Sequence, residues 1–119
     1  MGAAKIKLKE QSALNEARSR VFSICANPDL GGYAHYYFSE EQKQKAKLLW
    51  SDPSSDIKSK KGKEFLLYLK GAKAFYAGEF EAALNSFAEL TKSKNDWLKE
   101  TAIYMIGRTE INRAQASAF

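Results

Sequence analysis

The chain has one cysteine, one histidine and two prolines in 119 residues, and each scarcity excludes something. A single cysteine, Cys25, rules out an internal disulfide, so nothing points to an oxidising compartment. A single histidine, His35, rules out His-x-x-x-His spacing, and Cys-x-x-Cys is absent as well. A metal at His35 would have to be completed by carboxylates and Cys25, and neither metal nor cofactor is expected. Long apolar runs are also missing. Phe65-Leu66-Leu67-Tyr68-Leu69 lies between lysines, and no segment approaches the roughly 20 apolar residues of a membrane span. The start, Met1 to Ile6, lacks the apolar core of a signal peptide and the Ser or Thr that myristoylation needs. The expectation is a cytoplasmic chain. An exported chain that has lost its leader is consistent with the same start.

What is present suits a folded domain. An apolar fraction of 45% and an aromatic fraction of 13% separate the chain from disordered sequences, and its length suits one domain with one core. The net charge of +5 is mildly basic, which attracts polyanions weakly and is common in ordinary domains.

The two prolines sit in polar patches, Ala26 to Gly32 and Ser51 to Lys63, and between the patches the apolar spacing is helical. Leu14, Ala17, Val21 and Ile24 mark one face of a first helix, which Asn27-Pro28 stops because a residue before proline avoids the helical region. Ser39-Glu40-Glu41-Gln42 reads as a capping box opening a second helix, with Phe38 placed as a staple. Phe65, Leu69, Ala72 and Tyr76 form a third stripe ending near Gly78. Phe80, Ala83, Leu84, Phe87 and Leu90 form a fourth. Asp96 is the expected N-cap of a last helix carrying Leu98, Ala102, Met105, Ile106 and Thr109. Apart from a faint Ile6/Leu8 alternation, no strand pattern occurs. The fold class expected is all-α, with about five helices.

Leu67-Tyr68-Leu69-Lys70-Gly71 returns as Ile103-Tyr104-Met105-Ile106-Gly107, the glycines 36 residues apart. Such a period marks helical hairpins that stack because none buries its apolar face alone. In this region, residues 63–119, the chain resembles the tetratricopeptide-repeat family. Gly71 stands at that family's small position in the first helix, Gly78-Glu79-Phe80-Glu81 at its turn, and Ala83 and Phe87 supply Ala-x-x-x-Phe. Lys70 and Ala74 depart from the pattern. The resemblance implies stacked antiparallel hairpins, close helix crossing at Gly71, Ala83 and Gly107, and Phe87 filling the gap toward the next helix. It also implies a non-catalytic interaction or scaffold module for a protein or peptide partner. The alanine equivalent to Ala83 would fall at Phe119, so the expectation is a single helical domain over 1–119, the N-terminal part of a longer repeat protein. A strip of Ile103, Ile106 and Ile111 should then be partly exposed, open to self-association.

Two other features compete for function. Gly31-Gly32-Tyr33-Ala34-His35-Tyr36-Tyr37-Phe38 gathers the only histidine with four aromatics. Tyr33, His35, Tyr36 and Tyr37 are the candidate binding residues there. A Cys25–His35 nucleophilic pair lacks an orienting partner, and no catalytic residue is assigned. The lysine runs, Lys5/Lys7/Lys9 and Lys58/Lys60/Lys61/Lys63, give the alternative of a basic helical domain on nucleic acid or an anionic membrane. Both runs lack arginine and interleaved aromatics, which argues against that alternative.

Overall fold

The computed structural model of the chain describes residues 8–26 and 40–118, and over these the protein is all-helical, without a strand. Five α-helices follow in order: α1 Leu8–Ala26, α2 Glu40–Leu49, α3 Lys60–Tyr76, α4 Phe80–Leu90 and α5 Asp96–Ala118. One 3-10 turn, Ser54–Asp56, precedes α3. The capping box and staple proposed at Phe38 and Ser39 lie outside the described residues.

Helix α3 is central because its apolar residues cover two faces. Leu66, Leu69 and Ala72 join Leu14, Ala17 and Val21 of α1 in one buried cluster. On its other side Ala74 and Phe75 join Ala83, Phe87 and Leu90 of α4 with Ala102 and Met105 of α5. A third cluster, Ile24, Ala46 and Ala77, seats α2 against the end of α1. An apolar stripe this wide belongs to a helix covered by neighbours on both sides.

The α3–α4 pair turns back on itself through a left-handed glycine. Gly78 has φ 79°, the Glu79 amide donates to the Ala74 carbonyl at 2.8 Å, and the Gly78 amide donates to Phe75 at 3.2 Å. These two bonds form a Schellman motif, which satisfies carbonyls left open at a helix end. The antiparallel return then brings Phe87 onto Gly71. A Cβ at Gly71 would stand 2.7 Å from Phe87 Cε1, so the absence of a side chain is what lets the ring in. Ala83 and Phe87 are both fully buried. Gly107, expected to carry similar packing, faces open space: a Cβ there meets nothing within 4 Å. No described helix stands to α5 on that side as α4 stands to α3.

The start of α3 departs from the expected loop. The helix begins at Lys60, so Lys60, Lys61 and Lys63 are helical rather than part of a loop running to Lys63. Its N-cap is Ser59, whose Oγ accepts from the Gly62 amide at 3.0 Å. No acid occupies the first turn, and lysines near a helix N-terminus oppose the helix dipole. The compensating charge comes from α1. Glu10 is only 3% exposed, in register with Leu14, Ala17, Val21 and Ile24. Its Oε2 accepts from the Lys58 and Ser59 amides, both at 3.0 Å, and its Oε1 accepts from Ser59 Oγ at 2.7 Å. Gly62 makes room for this carboxylate, since a Cβ would lie 2.6 Å from Glu10 Oε1.

Helix α5 corrects a second boundary. Asp96 is its first residue, and the cap is Asn95, whose Oδ1 accepts from the Leu98 amide at 3.1 Å. Both residue types cap helices. The position three before the free Leu98 amide decides between them.

This packing sets the expected cost or gain of three substitutions. Replacing Glu10 by Ala strands the Lys58 and Ser59 amides and is expected to cost about 2–3 kcal/mol, read from the urea midpoint. Gly71→Ala should lose about 1–2 kcal/mol, because crowding against Phe87 outweighs the gain in helix propensity. Gly107→Ala should gain up to about 1 kcal/mol in the same assay.

Candidate functional site: a cleft between three helices

Helices α1, α3 and α5 meet around a cleft of about 310 Å³. From α1, Gln11, Asn15 and Arg18 line one wall, spaced as neighbours along one helix face, while Leu14 reaches the floor. From α3, Lys61, Phe65 and Tyr68 form the opposite wall and Leu69 the floor. Trp97, the second residue of α5, completes it. Leu14 and Leu69 are buried, Phe65 and Tyr68 half-buried, and Trp97 is 55% exposed.

The position of Trp97 is set by a polar relay. Ser93 Oγ donates to Glu64 Oε1 of α3 at 3.0 Å and accepts from the Asn95 amide at 3.0 Å, and Asn95 in turn caps α5. This ties the first turn of α5 to α3 and lays the indole against two rings. Trp97 stacks on Phe65 with centroids 6.2 Å apart, and Tyr68 meets it edge-on at 5.4 Å. Tyr68 also touches Phe87 at 6.2 Å, so the cleft wall continues into the core. Aromatic pairs in these arrangements contribute about 0.5–1.5 kcal/mol beyond their burial.

The polar lining is uneven. Gln11 Nε2 donates to Asn15 Oδ1 at 3.1 Å, so the two amides partly satisfy each other. Arg18 and Lys61 have no ion-pair or hydrogen-bond partner among the described residues, and no carboxylate lines the cleft. Burial raises the Tyr68 phenol above its ordinary range. Tyr76 is raised the same way, with nearby Cys25 adding to the effect. Both phenols are neutral at physiological pH and act as hydrogen-bonding rather than charged groups.

The residues singled out from sequence fall elsewhere. Tyr33, His35, Tyr36 and Tyr37 lie outside the described residues. Gly71, Ala83 and Phe87 meet at the α3–α4 contact, away from the cleft mouth. Cys25 is half-buried. On α5, Ile103, Tyr104 and Ile111 are exposed and Ile106 is half-buried. No three His, Cys, Asp or Glu side chains converge among the described residues, and no helix is long and apolar enough to cross a membrane. Sequence reading missed Arg18, Trp97 and Glu10. Only Glu10 carried a local signal, an acid at the first position of a four-three apolar register. The cleft draws on three distant segments, and no local pattern joins them.

The raised phenols have a consequence at alkaline pH. Above the ordinary tyrosine value of 10.0, unfolded phenols ionise while folded Tyr68 and Tyr76 keep their protons, which favours unfolding. Their contribution to stability is therefore present below that pH and lost above it. Urea midpoints measured across this range should fall, and less steeply in a Tyr68→Phe/Tyr76→Phe variant.

Comparison of the chain with protein-family models, with curated proteins and with solved structures finds no match in any of the three.

Proposed function

We propose that this protein is a non-catalytic interaction module of the tetratricopeptide-like kind, holding a segment of a polypeptide partner in the cleft between α1, α3 and α5. The observation that carries the reading is the lining itself. An apolar floor, three aromatic side chains and a rim of amides and cations come from three separate helices. Tryptophan, tyrosine and arginine dominate binding energy where proteins meet, because they combine large area with a polar or charged tip. A partly exposed Trp97, held in place by a hydrogen-bonded relay, is pre-organised for such contact and loses little freedom on binding.

The hairpin geometry supports the same reading. Gly71, Ala83 and Phe87 give α3 and α4 a close crossing. This leaves α1, α3 and the start of α5 to share a different surface, as the odd-numbered helices of a hairpin array do. Farther along α5, Ile103, Tyr104 and Ile111 are exposed and offer further contact area.

Two tryptophans occur, so a Trp50→Phe variant makes Trp97 the sole indole reporter. Peptides selected by display on the immobilised full chain are expected to shift Trp97 emission to the blue. They should also bind Trp97→Ala at least about tenfold more weakly, a loss of about 1.4 kcal/mol. If selected peptides bind Trp97→Ala unchanged, or display yields no binder, the cleft is not the site. Circular dichroism of each variant establishes that the fold is intact.

A further inference from the structure

We infer that the segment this cleft takes is acidic, with one apolar side chain seated between flanking carboxylates. The inference rests on the cleft reading above and adds the chemistry of the partner.

It begins with which surface cations are already paired. Lys9, Arg20, Lys43, Lys70 and Arg113 each lie within 2.7–3.8 Å of a carboxylate of this chain. Other described cations, Lys45, Lys60 and Lys99 among them, have no such partner, and Arg18 and Lys61 are the two of these that line the cleft, on opposite walls. The nearest buried acid in sequence, Glu10, spends its carboxylate on the Lys58 and Ser59 backbone and on the Ser59 hydroxyl. Glu64, one turn beyond Lys61, accepts from Ser93. Lys60 and Lys63 reinforce the positive charge at this end of α3, and the chain as a whole carries +5. Charge complementarity of this kind steers association and sets orientation even where each rim pair adds little affinity.

The size of the cleft sets the rest of the partner. About 310 Å³ over a floor of Leu14 and Leu69 suits one leucine- or phenylalanine-sized anchor rather than an apolar series. Cations on both walls then place carboxylates on either side of that anchor. Nucleic acid fits less well. Affinity for a phosphate backbone grows with the number of phosphates neutralised, and two cations neutralise about two. Two carboxylates beside an anchor need no more than those two cations.

The test uses the full chain in its Trp50→Phe form and four probes. Three are matched synthetic peptides: a leucine anchor with glutamate flanks, the same anchor with lysine flanks, and glutamate flanks around alanine. The fourth is an oligothymidylate of similar length. The acidic leucine peptide is expected to bind about tenfold tighter than its lysine counterpart at low salt, with the gap closing as salt rises. The alanine peptide and the oligonucleotide should bind weakly. Charge reversal in Arg18→Glu/Lys61→Glu, at two exposed positions, should invert the preference toward the lysine peptide. Equal binding of both leucine peptides that is lost in Trp97→Ala overturns the acidic assignment and leaves the cleft standing. Retained preference for acid after charge reversal overturns it too, and so does oligonucleotide binding as tight as the acidic peptide's. Tight binding of the alanine peptide removes the anchor. If no peptide of either charge binds, the cleft reading itself fails.

Discussion

The Glu10 carboxylate is the contact on which the arrangement of this protein depends. Helix α3 is packed on two sides, yet its first turn holds lysines where the dipole calls for negative charge. The missing charge arrives from another helix. Glu10 accepts three hydrogen bonds around Ser59, and in doing so fixes where α1 crosses the start of α3. Gln11, Leu14, Asn15 and Arg18 follow Glu10 along α1, and Lys61, Phe65 and Tyr68 follow Ser59 along α3. The two walls of the cleft are therefore set by one buried carboxylate at their common end. Charged hydrogen bonds of this kind are among the stronger ones, and Gly62 shows that the backbone makes room for it.

A second constraint works by absence. Without a Cβ at Gly71, the Phe87 ring reaches the α3 backbone, and α4 approaches more closely than any larger residue would allow. Full burial of a phenylalanine contributes about 1.5–3 kcal/mol, and here the same ring also braces Tyr68 from behind. Trp97, Tyr68 and Phe87 thus run from the cleft mouth to the core in unbroken contact. That wall of the cleft is backed by the buried Phe87 of the α3–α4–α5 cluster. At Gly107 a similar local sequence stands over open space, and Tyr104 and Ile111 nearby on α5 are exposed.

Polar groups are handled economically throughout the described residues. No buried side-chain nitrogen or oxygen there lacks a hydrogen-bond partner, and buried Thr109 donates to the Met105 carbonyl within its own helix at 2.6 Å. Arg18 and Lys61 have no ion-pair or hydrogen-bond partner among the described residues, as is true of several other surface lysines, but these two flank the apolar and aromatic surface of the cleft.

The helical class and most helix faces were legible in the residues alone, because apolar spacing and glycine placement act locally. Leu14, Ala17, Val21 and Ile24 lie on one buried face for the reason their spacing suggests, and Gly78 turns the chain because glycine alone tolerates its positive φ at no cost. The start of α3 was not legible, since a run of lysines reads as solvated loop until a distant glutamate is brought to it. The cap of α5 was displaced by one residue, because Asn95 and Asp96 offer the same chemistry and only the position of the Leu98 amide chooses between them. Which repeated glycine is packed was also undecidable locally. Gly71 and Gly107 follow similar apolar segments, and a Phe87 ring lies against the first while the second faces open space. Local apolar spacing dictates which face each helix buries. Tertiary structure decided which helices meet, and so brought Arg18, Lys61, Phe65 and Trp97 around one cleft, because contacts between distant segments depend on packing that no local pattern encodes.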